Sequence, residues 1–491
     1  MNKKMGIIAA GAAAACMSGL LFAQAQTPPA QAPQAQAPQP EYDSDEFLLL
    51  GDANHGGSEP QIAVSPKDPR NIIVTATSVN YDINNPNFRL YPDATIHLMG
   101  VTQDDGKHWK FSQSPDHLAG KINRGADPVA GAGPDGTLYA GGDMRWTTGQ
   151  ATGGISSSGL IVSTDRGDSW GPVIFILGNH PEDRPFAAGL HPFRDDSRSP
   201  WDRPFMRIDQ SNGALYYIAQ GGQTEDPPLA PGATTRPETY FVSTRDRGKT
   251  LSLAYAIDSK DYPEMVAGTI DASHGVLVTM YVASQAPGAQ CPCVVFGSST
   301  DDGRTFTRHV VSSIPAPPPP APPPTAAAPG RGGGGGGAGG FMIIADQARA
   351  GTYVARRTVD NRIDTWRSED GGKTWTGPVV AATVPQGATL RLSQWKYSPD
   401  GVLGLVWSSI YANRTVDIWS SISRDGGKTF SAPLKVTHSP SPPPPTYRNN
   451  AQTADNVDIA IGGGFTHMVW DDSRSGVQGA WYGRVPLSKY K

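Results

Sequence analysis

The chain has 491 residues, a formal net charge of −4 and 18% charged residues. Its acidic and basic residues are interspersed, which excludes the basic surface of a typical nucleic-acid-binding or membrane-surface protein. Glycine (57) and proline (45) are abundant, which is typical of an all-β protein with many turns rather than of a helical one.

The first 25 residues have the three parts of a secretory signal peptide. They are a basic start "MNKK", an apolar run from Met5 to Phe22, and a small-x-small site "AQA" at 23–25. We expect cleavage after Ala25 and a secreted or periplasmic protein. Residues 26–44, rich in Pro, Gln and Ala, are predicted to be a disordered tether. No later segment has the roughly 20 apolar residues of a membrane-spanning helix, so none is predicted.

An eight-residue motif, called here the D-x-G motif, recurs six times further along the chain. Its copies are "TQDDGKHW" (Thr102–Trp109), "STDRGDSW" (Ser163–Trp170), "TRDRGKTL" (Thr244–Leu251), "STDDGRTF" (Ser299–Phe306), "SEDGGKTW" (Ser368–Trp375) and "SRDGGKTF" (Ser423–Phe430). The aspartate can accept hydrogen bonds from N–H groups two or three residues on, and the glycine can adopt a positive φ. The motif therefore predicts a tight turn between strands and a structural role.

A second repeat, an apolar strand, a turn and another apolar strand, occurs seven times, with hairpin signals such as "PDG" and "SNG" at its centres. The seventh unit ends in "GAWYGRVPL" without a D-x-G motif. We expect "EFLLL" (Glu46–Leu50) to supply its outermost strand. The Pro/Gly-rich segment 315–340 is interpreted as a disordered insertion between units four and five. Cys291 and Cys293 could form a local disulfide or remain free thiols.

The D-x-G motif resembles the Asp box, or BNR repeat, of the sialidase-like superfamily. The resemblance implies that each copy closes the hairpin between the third and fourth strands of a propeller blade, on the face opposite the active site. The seven units then imply one all-β propeller of about seven four-stranded blades over residues 45–491. The alternative is six blades, the number found in the sialidases themselves.

The same resemblance implies a site where the inner strands begin, around the mouth of the central channel. The polar residues expected there are Glu59, Asp127, Asp202, Arg203, Glu264, Arg391, Asp455 and Asn456, and loops after the second strands add Tyr81, Arg145, Trp146, Arg356, Tyr411 and Arg414. Arginine binds carboxylates with two parallel hydrogen bonds and aromatic rings stack on sugars, so the set suits an acidic sugar. The structural alternative is that loop ends are polar on any propeller.

The roles implied by the resemblance are those of a glycoside hydrolase. Asp127 is the candidate acid/base, and Tyr447 with Glu264 is the candidate nucleophilic pair. Arg203 and Arg391 are candidates to bind an anion, and Glu59, Asp202, Arg145 and Trp146 are further candidate substrate-binding residues. The sialidase signature Phe/Tyr-Arg-Ile-Pro is replaced by "GSEP" (Gly57–Pro60), which lacks the arginine that binds sialic acid.

The leading hypothesis is therefore an exported hydrolase, sialidase-like, acting on a terminal and possibly acidic sugar. The alternatives are a polysaccharide lyase on a uronic-acid glycan and a non-catalytic propeller that binds glycan or protein. No cofactor, metal ligand or nucleic-acid partner is predicted, a structural Ca²⁺ ion is left open, and the protein is expected to be a monomer.

Overall fold

The computed structural model describes a chain built almost entirely of β-strands. Its described residues form 28 strands and one short 3₁₀ helix, Leu487–Lys489. None of their helices is long and apolar enough to cross a membrane. The described residues belong to one compact unit. The structure describes residues 45–51, 55–80, 96–113, 122–146, 155–178, 202–223, 236–316, 341–443, 456–476 and 478–491.

The strands form seven separate four-stranded antiparallel sheets, which are the blades of a propeller. The first three blades contain β2 (His55–Val64), β3 (Ile72–Asn80), β4 (Ile96–Thr102) and β5 (Lys110–Gln113); β6 (Ile122–Ala132), β7 (Leu138–Trp146), β8 (Ile155–Ser163) and β9 (Ile174–Gly178); and β10 (Asp202–Ile208), β11 (Leu215–Gln223), β12 (Arg236–Thr244) and β13 (Tyr255–Ala256). Seven blades are thus confirmed, and the alternative of six is wrong.

The next three blades repeat this order of strands. They contain β14 (Glu264–Ser273), β15 (Val276–Ala283), β16 (Cys293–Ser299) and β17 (Thr307–Val310); β18 (Met342–Ala345), β19 (Tyr353–Val359), β20 (Arg362–Ser368) and β21 (Thr376–Thr383); and β22 (Ala388–Tyr397), β23 (Leu403–Tyr411), β24 (Val416–Ser423) and β25 (Leu434–Lys435). In each blade the first strand is the inner one, and inner strands of neighbouring blades contact one another around the axis.

The seventh blade joins the two ends of the described chain. It contains β26 (Val457–Gly462), β27 (Phe465–Asp472), β28 (Gly479–Pro486) and, as its outermost strand, β1 (Glu46–Leu50). The backbone N–H of His438 donates to Glu46 Oε2 over 2.7 Å, and Arg474 pairs with the same carboxylate. The expected closing strand is confirmed. It also explains why the seventh unit lacks a D-x-G motif, since no turn joins β28 to β1.

The hydrophobic core lies between the blades rather than at one centre. Seven clusters of buried side chains each join two neighbouring blades around the ring. In the cluster between blades four and five, for example, the rings of Phe296 and Trp375 meet edge to face with centroids 5.7 Å apart. Strand alternation produces this arrangement, because each blade offers one apolar face to either neighbour.

The six D-x-G motifs follow the third strands of blades one to six and share one hydrogen-bond pattern. The leading Ser or Thr hydroxyl donates to the aspartate over 2.7–3.0 Å. The residue four after the aspartate donates its N–H to Oδ1 over 2.8–2.9 Å in every copy. In the sixth copy Lys428, three residues after Asp425, also donates to Oδ1 over 3.0 Å, as expected. The glycine N–H donates back to the hydroxyl over 2.8–3.0 Å. The predicted turn is present, and its shared backbone donor is one residue further on than expected.

Two details of the middle of the chain refine the sequence interpretation. The insertion predicted at 315–340 stays a prediction; at its start, the Pro315 carbonyl accepts a hydrogen bond of 2.6 Å from Arg357, and the preceding Ile314 is buried. Residues 317–340 lie outside the described residues. Cys291 and Cys293 are joined by a disulfide with an S–S distance of 2.12 Å, so the alternative of free thiols is wrong.

Candidate functional site at the channel mouth

The two edges of the ring differ in chemistry. Because strands within a blade are antiparallel, the inner strands begin at the edge where the second strands end. The D-x-G turns follow the third strands and lie at the opposite edge. The predicted site would therefore lie where the inner strands begin, an edge called here the channel mouth.

The inner strands of blades one and two share an unusual backbone at the mouth. Each has a β-bulge, between Ser58 and Gln61 and between Ala126 and Val129. Within these bulges Glu59 and Asp127 have φ values of 56° and 43°. Non-glycine residues adopt this left-handed region at a cost, and such residues cluster at functional sites. Proline follows each acid, and it removes a backbone donor at the bulge.

These acids belong to a hydrogen-bonded chain that crosses three blades. Asp471, at the end of the second strand of blade seven, accepts the N–H of Glu59 at Oδ1 over 2.9 Å and that of Asn456 at Oδ2 over 3.3 Å. The Glu59 carboxylate in turn accepts the N–H of Asp127 over 3.1 Å. The carboxylates of one blade thus hold the backbone bulge of the next, and they fix where Glu59 and Asp127 stand.

A buried cluster lies behind Asp127. Ser158 donates to Asp143 over 2.5 Å, and Asp143 lies on the second strand opposite the bulge. Tyr217 is buried nearby, and burial raises the pKa of its phenol well above the ordinary value, with the charges of Asp143 and Asp127 adding to the effect. Tyr217 is therefore a neutral phenol that supports the acid cluster.

Glu264 occupies a different environment from the other mouth acids. Its side chain is fully buried between β12 and β14, and burial, followed by the charge of Asp258, raises its pKa well above the ordinary value. Its carboxylate accepts the N–H and the hydroxyl of Thr239 over 2.8 and 3.0 Å, and also the N–H of Gly268. The carboxylate is engaged in holding two blades together. Its pairing with Tyr447 stays a prediction, because Tyr447 lies outside the described residues.

The remaining predicted residues are placed only in part. Asp202 and Arg203 begin β10, and Arg145 and Trp146 end β7, but the structure describes only their backbone. Arg391 lies half-buried at the bulge between Leu390 and Ser393 of β22. Tyr81 and Asp455 lie outside the described residues, as Tyr447 does.

Arg356 is not the loop residue that was expected. It lies within β19 and is 2% exposed, because β19 continues through both Arg356 and Arg357 and strand alternation turns Arg356 inwards. Its guanidinium donates to the Ser393 carbonyl over 2.6 Å and lies 5.2 Å from the centre of the Trp395 ring. Arg356 thus joins blades five and six instead of lining the mouth.

Sequence reasoning missed Asp471 and Asp143, although they share a detectable signal. Both stand near the end of a second strand, in "VWDD" and "GGDMRW", where an acid interrupts an otherwise apolar or small-residue run. Among the described residues, no group of three or more His, Cys, Asp or Glu side chains is arranged to hold a metal ion.

The fold is similar to that of solved propellers, mostly sialidases, at low sequence identity. A protein of unknown function from Dyadobacter fermentans is 11% identical with a TM-score of 0.49, covering 91% of this chain and 98% of that one. A Hadza microbial sialidase is 15% identical (TM-score 0.45; 82% and 76% covered), and the leech intramolecular trans-sialidase is 11% identical (TM-score 0.43; 91% and 94% covered). No family model matches the sequence, and no curated protein matches it significantly.

The chain folds as an all-β propeller of seven four-stranded blades. At these identities the similarity concerns the fold alone, and a fold is compatible with many activities. Any activity must therefore be argued from the residues of the channel mouth.

Proposed function

We propose that this protein is an exported, sialidase-like glycoside hydrolase that acts on a terminal, acidic sugar at the channel mouth. The six D-x-G turns would be Asp boxes, and residues 1–25 a signal peptide removed after Ala25. The proposed enzyme is a monomer in the secreted or periplasmic fraction, and it does not bind nucleic acid. N-terminal sequencing of the exported protein should then begin at Gln26.

One observation carries the proposal. Glu59 and Asp127 are acids in strained left-handed conformations at the mouth, and the carboxylate of Glu59 fixes the backbone of Asp127. Positive φ is unfavourable for both residues, and such residues cluster at functional sites. General acid/base catalysis of glycoside cleavage uses carboxyl groups that are held in place.

Roles follow from position. Asp127 is the proposed general acid that protonates the leaving oxygen, and Glu59 is its positioning residue as well as a substrate contact. Arg203 and Arg391 are proposed to bind the sugar carboxylate, with Asp202, Arg145 and Trp146 as further contacts. Tyr447 is the proposed nucleophile with Glu264 as its partner. The Glu264 carboxylate already accepts three hydrogen bonds, so the Tyr447 phenol would donate to its remaining lone pair on Oε2.

The test is a screen of purified protein against neutral and acidic aryl glycosides and uronic-acid polymers, with separate detection of released sugar and of unsaturated uronates. The variants are Asp127→Asn and Glu59→Gln. The control is Glu369→Gln, an exposed acid at the opposite edge that pairs with Arg367 and Lys428. Loss of a general acid should lower kcat/KM about 10²–10⁴-fold in Asp127→Asn, with Glu369→Gln unchanged.

The other outcomes distinguish the alternatives. Unsaturated uronates would identify a lyase and reject hydrolysis. Glycan binding that weakens in Asp127→Asn, with no product from any substrate, would identify a non-catalytic propeller, an outcome favoured by the buried and fully engaged carboxylate of Glu264. Hydrolysis that survives Asp127→Asn would remove Asp127 from the mechanism.

A further inference from the structure

The central channel contains a cavity at the edge opposite the mouth. Its volume is about 110 Å³, and all seven inner strands, or the residues just after them, contribute to its wall. At about 30 Å³ per liquid water molecule, this is room for a few waters or one small solute. The polar residues of the wall are Arg207, Gln210, Asp271, Gln347, Lys396 and Tyr397, beside Trp395 and aliphatic side chains.

Several hydrogen-bond donors of this wall have no acceptor, or only one, among the described residues. Among the described residues Arg207 donates one hydrogen bond, to the neighbouring Met206 carbonyl over 3.0 Å, and its Nε lies 4.0 Å from Asp271 Oδ1. The indole N–H of Trp395 and the hydroxyl of Tyr397 are buried and have no partner within the described part of the chain. Buried donors without acceptors are costly, and native structures rarely keep several side by side.

The nearby carboxylates already accept hydrogen bonds from other groups. Asp458 is held by Lys396 Nζ over 2.6 Å and by the Ile62 N–H over 3.0 Å. Asp271 accepts the N–H groups of Ala345 and Ala272 over 2.8 and 2.9 Å. Asp209, which also influences Asp271, accepts five hydrogen bonds from Ser211, Asn212, His274 and Gly275.

A further cation, Arg356, lies close enough to Arg207 for their charges to interact. Arg356 is fully buried, and its Nε has no hydrogen-bond partner among the described residues. Burial, together with the charge of Arg207, lowers the pKa of Arg356 to about 9. The charges of Arg207 and Arg356 therefore repel each other where little water screens them. A bound anion near Arg207 would reduce this repulsion.

We propose that this cavity, called here the lower channel site, binds one small anion, a halide or a small carboxylate. Arg207 provides the charge, and Trp395 Nε1 and Tyr397 Oη donate hydrogen bonds. One acceptor in the wall, Gln210 Oε1, also lacks a partner, so a water molecule accompanies the anion. The bound anion connects the inner strands of blades three and six and stabilises the ring. The site lies at the other end of the channel from the proposed catalytic residues and does not depend on their function.

Thermal unfolding at constant ionic strength tests the proposal. Sodium gluconate, whose anion is too large for the cavity, is replaced stepwise by sodium chloride, bromide or acetate. The wild-type melting temperature should rise and then saturate in at least one series, as expected for a ligand that binds the folded state. A response to the halides alone identifies a halide site, and a response to acetate identifies a carboxylate site. Equal melting temperatures in all salts would overturn the proposal.

Three variants connect any response to the site. Arg207→Gln should weaken the apparent anion affinity at least about tenfold, in line with the loss of a charge-assisted hydrogen bond. The control Arg245→Gln, which breaks an exposed ion pair with Asp302, should keep the wild-type response. A full response in Arg207→Gln would show that the anion acts elsewhere, and would reject the site.

Tyr397→Phe decides the matter even if Arg207→Gln does not fold. If the hydroxyl contacts an anion, Tyr397→Phe should melt below wild type in the stabilising anion but at or above it in gluconate, since an unpartnered buried hydroxyl is unfavourable. If the cavity holds only water, the difference between Tyr397→Phe and wild type should be the same in every salt. Anomalous diffraction from a crystal grown in bromide should show the halide beside Arg207.

Discussion

A single aspartate organises each D-x-G turn, and its chemistry follows from the bonds that it accepts. Asp370 accepts the N–H and the hydroxyl of Thr374 over 2.9 and 2.6 Å, and the hydroxyl of Ser368 over 2.9 Å. These bonds, that of the Thr374 hydroxyl first, lower the pKa of Asp370 to about 2. Hydrogen bonds to Thr305 and Ser169 do the same for Asp301 and Asp165. The residue acts as a charged acceptor for a turn.

We expect Asp370→Ala to lower the free energy of unfolding by about 1–3 kcal/mol, because three donors lose their acceptor. Turnover per folded molecule should be unchanged, since the turn lies at the edge opposite the mouth. Denaturant unfolding and the glycoside assay on the same preparation measure the two quantities. Lost turnover at unchanged stability would place the turn in the active site.

The stability lost in Asp370→Ala should depend on pH. A carboxyl whose pKa is lower in the folded than in the unfolded protein stabilises the fold above its unfolded pKa, near 4, and loses this effect as the pH falls towards 2. The stability difference between wild type and Asp370→Ala should therefore be constant from pH 7 to 5 and shrink below pH 4. A difference that does not change with pH would mean that the charge of Asp370 is irrelevant.

At the scale of the element, most D-x-G turns also contact the preceding blade. The residue between the aspartate and the glycine is left-handed, with φ of 60–67° where it is not glycine. In blades one to four that residue pairs with the preceding blade: Asp105 with Arg484, Arg166 with Asp68, Arg247 with Asp135, and Asp302 with Arg245. Ion pairs of this kind at the surface contribute little individually to the free energy of unfolding.

The two glycines of the fifth D-x-G turn distinguish the cost of a positive φ from the cost of crowding the preceding blade. Gly371 and Gly372 have φ of 77° and 89°, so a side chain is strained at either. A Cβ at Gly371 would meet nothing within 4 Å, whereas a Cβ at Gly372 would lie 2.3 Å from the ring of Phe296 in the preceding blade. Gly371→Ala thus serves as the matched control for Gly372→Ala.

We expect Gly371→Ala to cost about 1 kcal/mol of unfolding free energy through φ alone. Gly372→Ala should cost about 1–3 kcal/mol more, because it also overpacks the contact between blades. Denaturant unfolding of both variants measures the difference. Equal losses would show that the turn does not press on the neighbouring blade.

At the scale of the whole molecule, stability depends on closing the ring. β1 pairs with β28 and covers what would otherwise be an unpaired sheet edge. Its buried residues Phe47, Leu49 and Leu50 join the cluster between blades seven and one. Glu46 adds a buried link to Arg474, whose guanidinium lies 4.2 Å from the centre of the Trp481 ring.

A truncated protein that begins at Gly51 should be strongly destabilised and aggregate. Three buried apolar side chains are lost at about 1.5–3 kcal/mol each, which approaches the total stability of many domains. The control begins at Ser44 and retains β1. Calorimetry and light scattering compare the two, and equal melting temperatures would show that the ring holds without β1.

The sequence by itself determined the repeating architecture. The six D-x-G motifs, the seven apolar hairpins and the closing strand "EFLLL" were all readable, because turns and strand alternation depend on neighbours within a few residues. The expectation of a site at the mouth came from the resemblance to the sialidase-like superfamily.

Only the tertiary structure decided what the polar residues of the mouth contact. Glu59 and Asp471 stand 412 residues apart in the chain, yet they are joined by one hydrogen bond because the ring closes between blades seven and one. Glu264 is fully buried and accepts hydrogen bonds from Thr239 of the preceding blade, and Arg356, expected in a loop, is buried between blades five and six. The partner of an inner-strand side chain belongs to the neighbouring blade, so its burial and charge depend on how two blades pack, which no local pattern encodes.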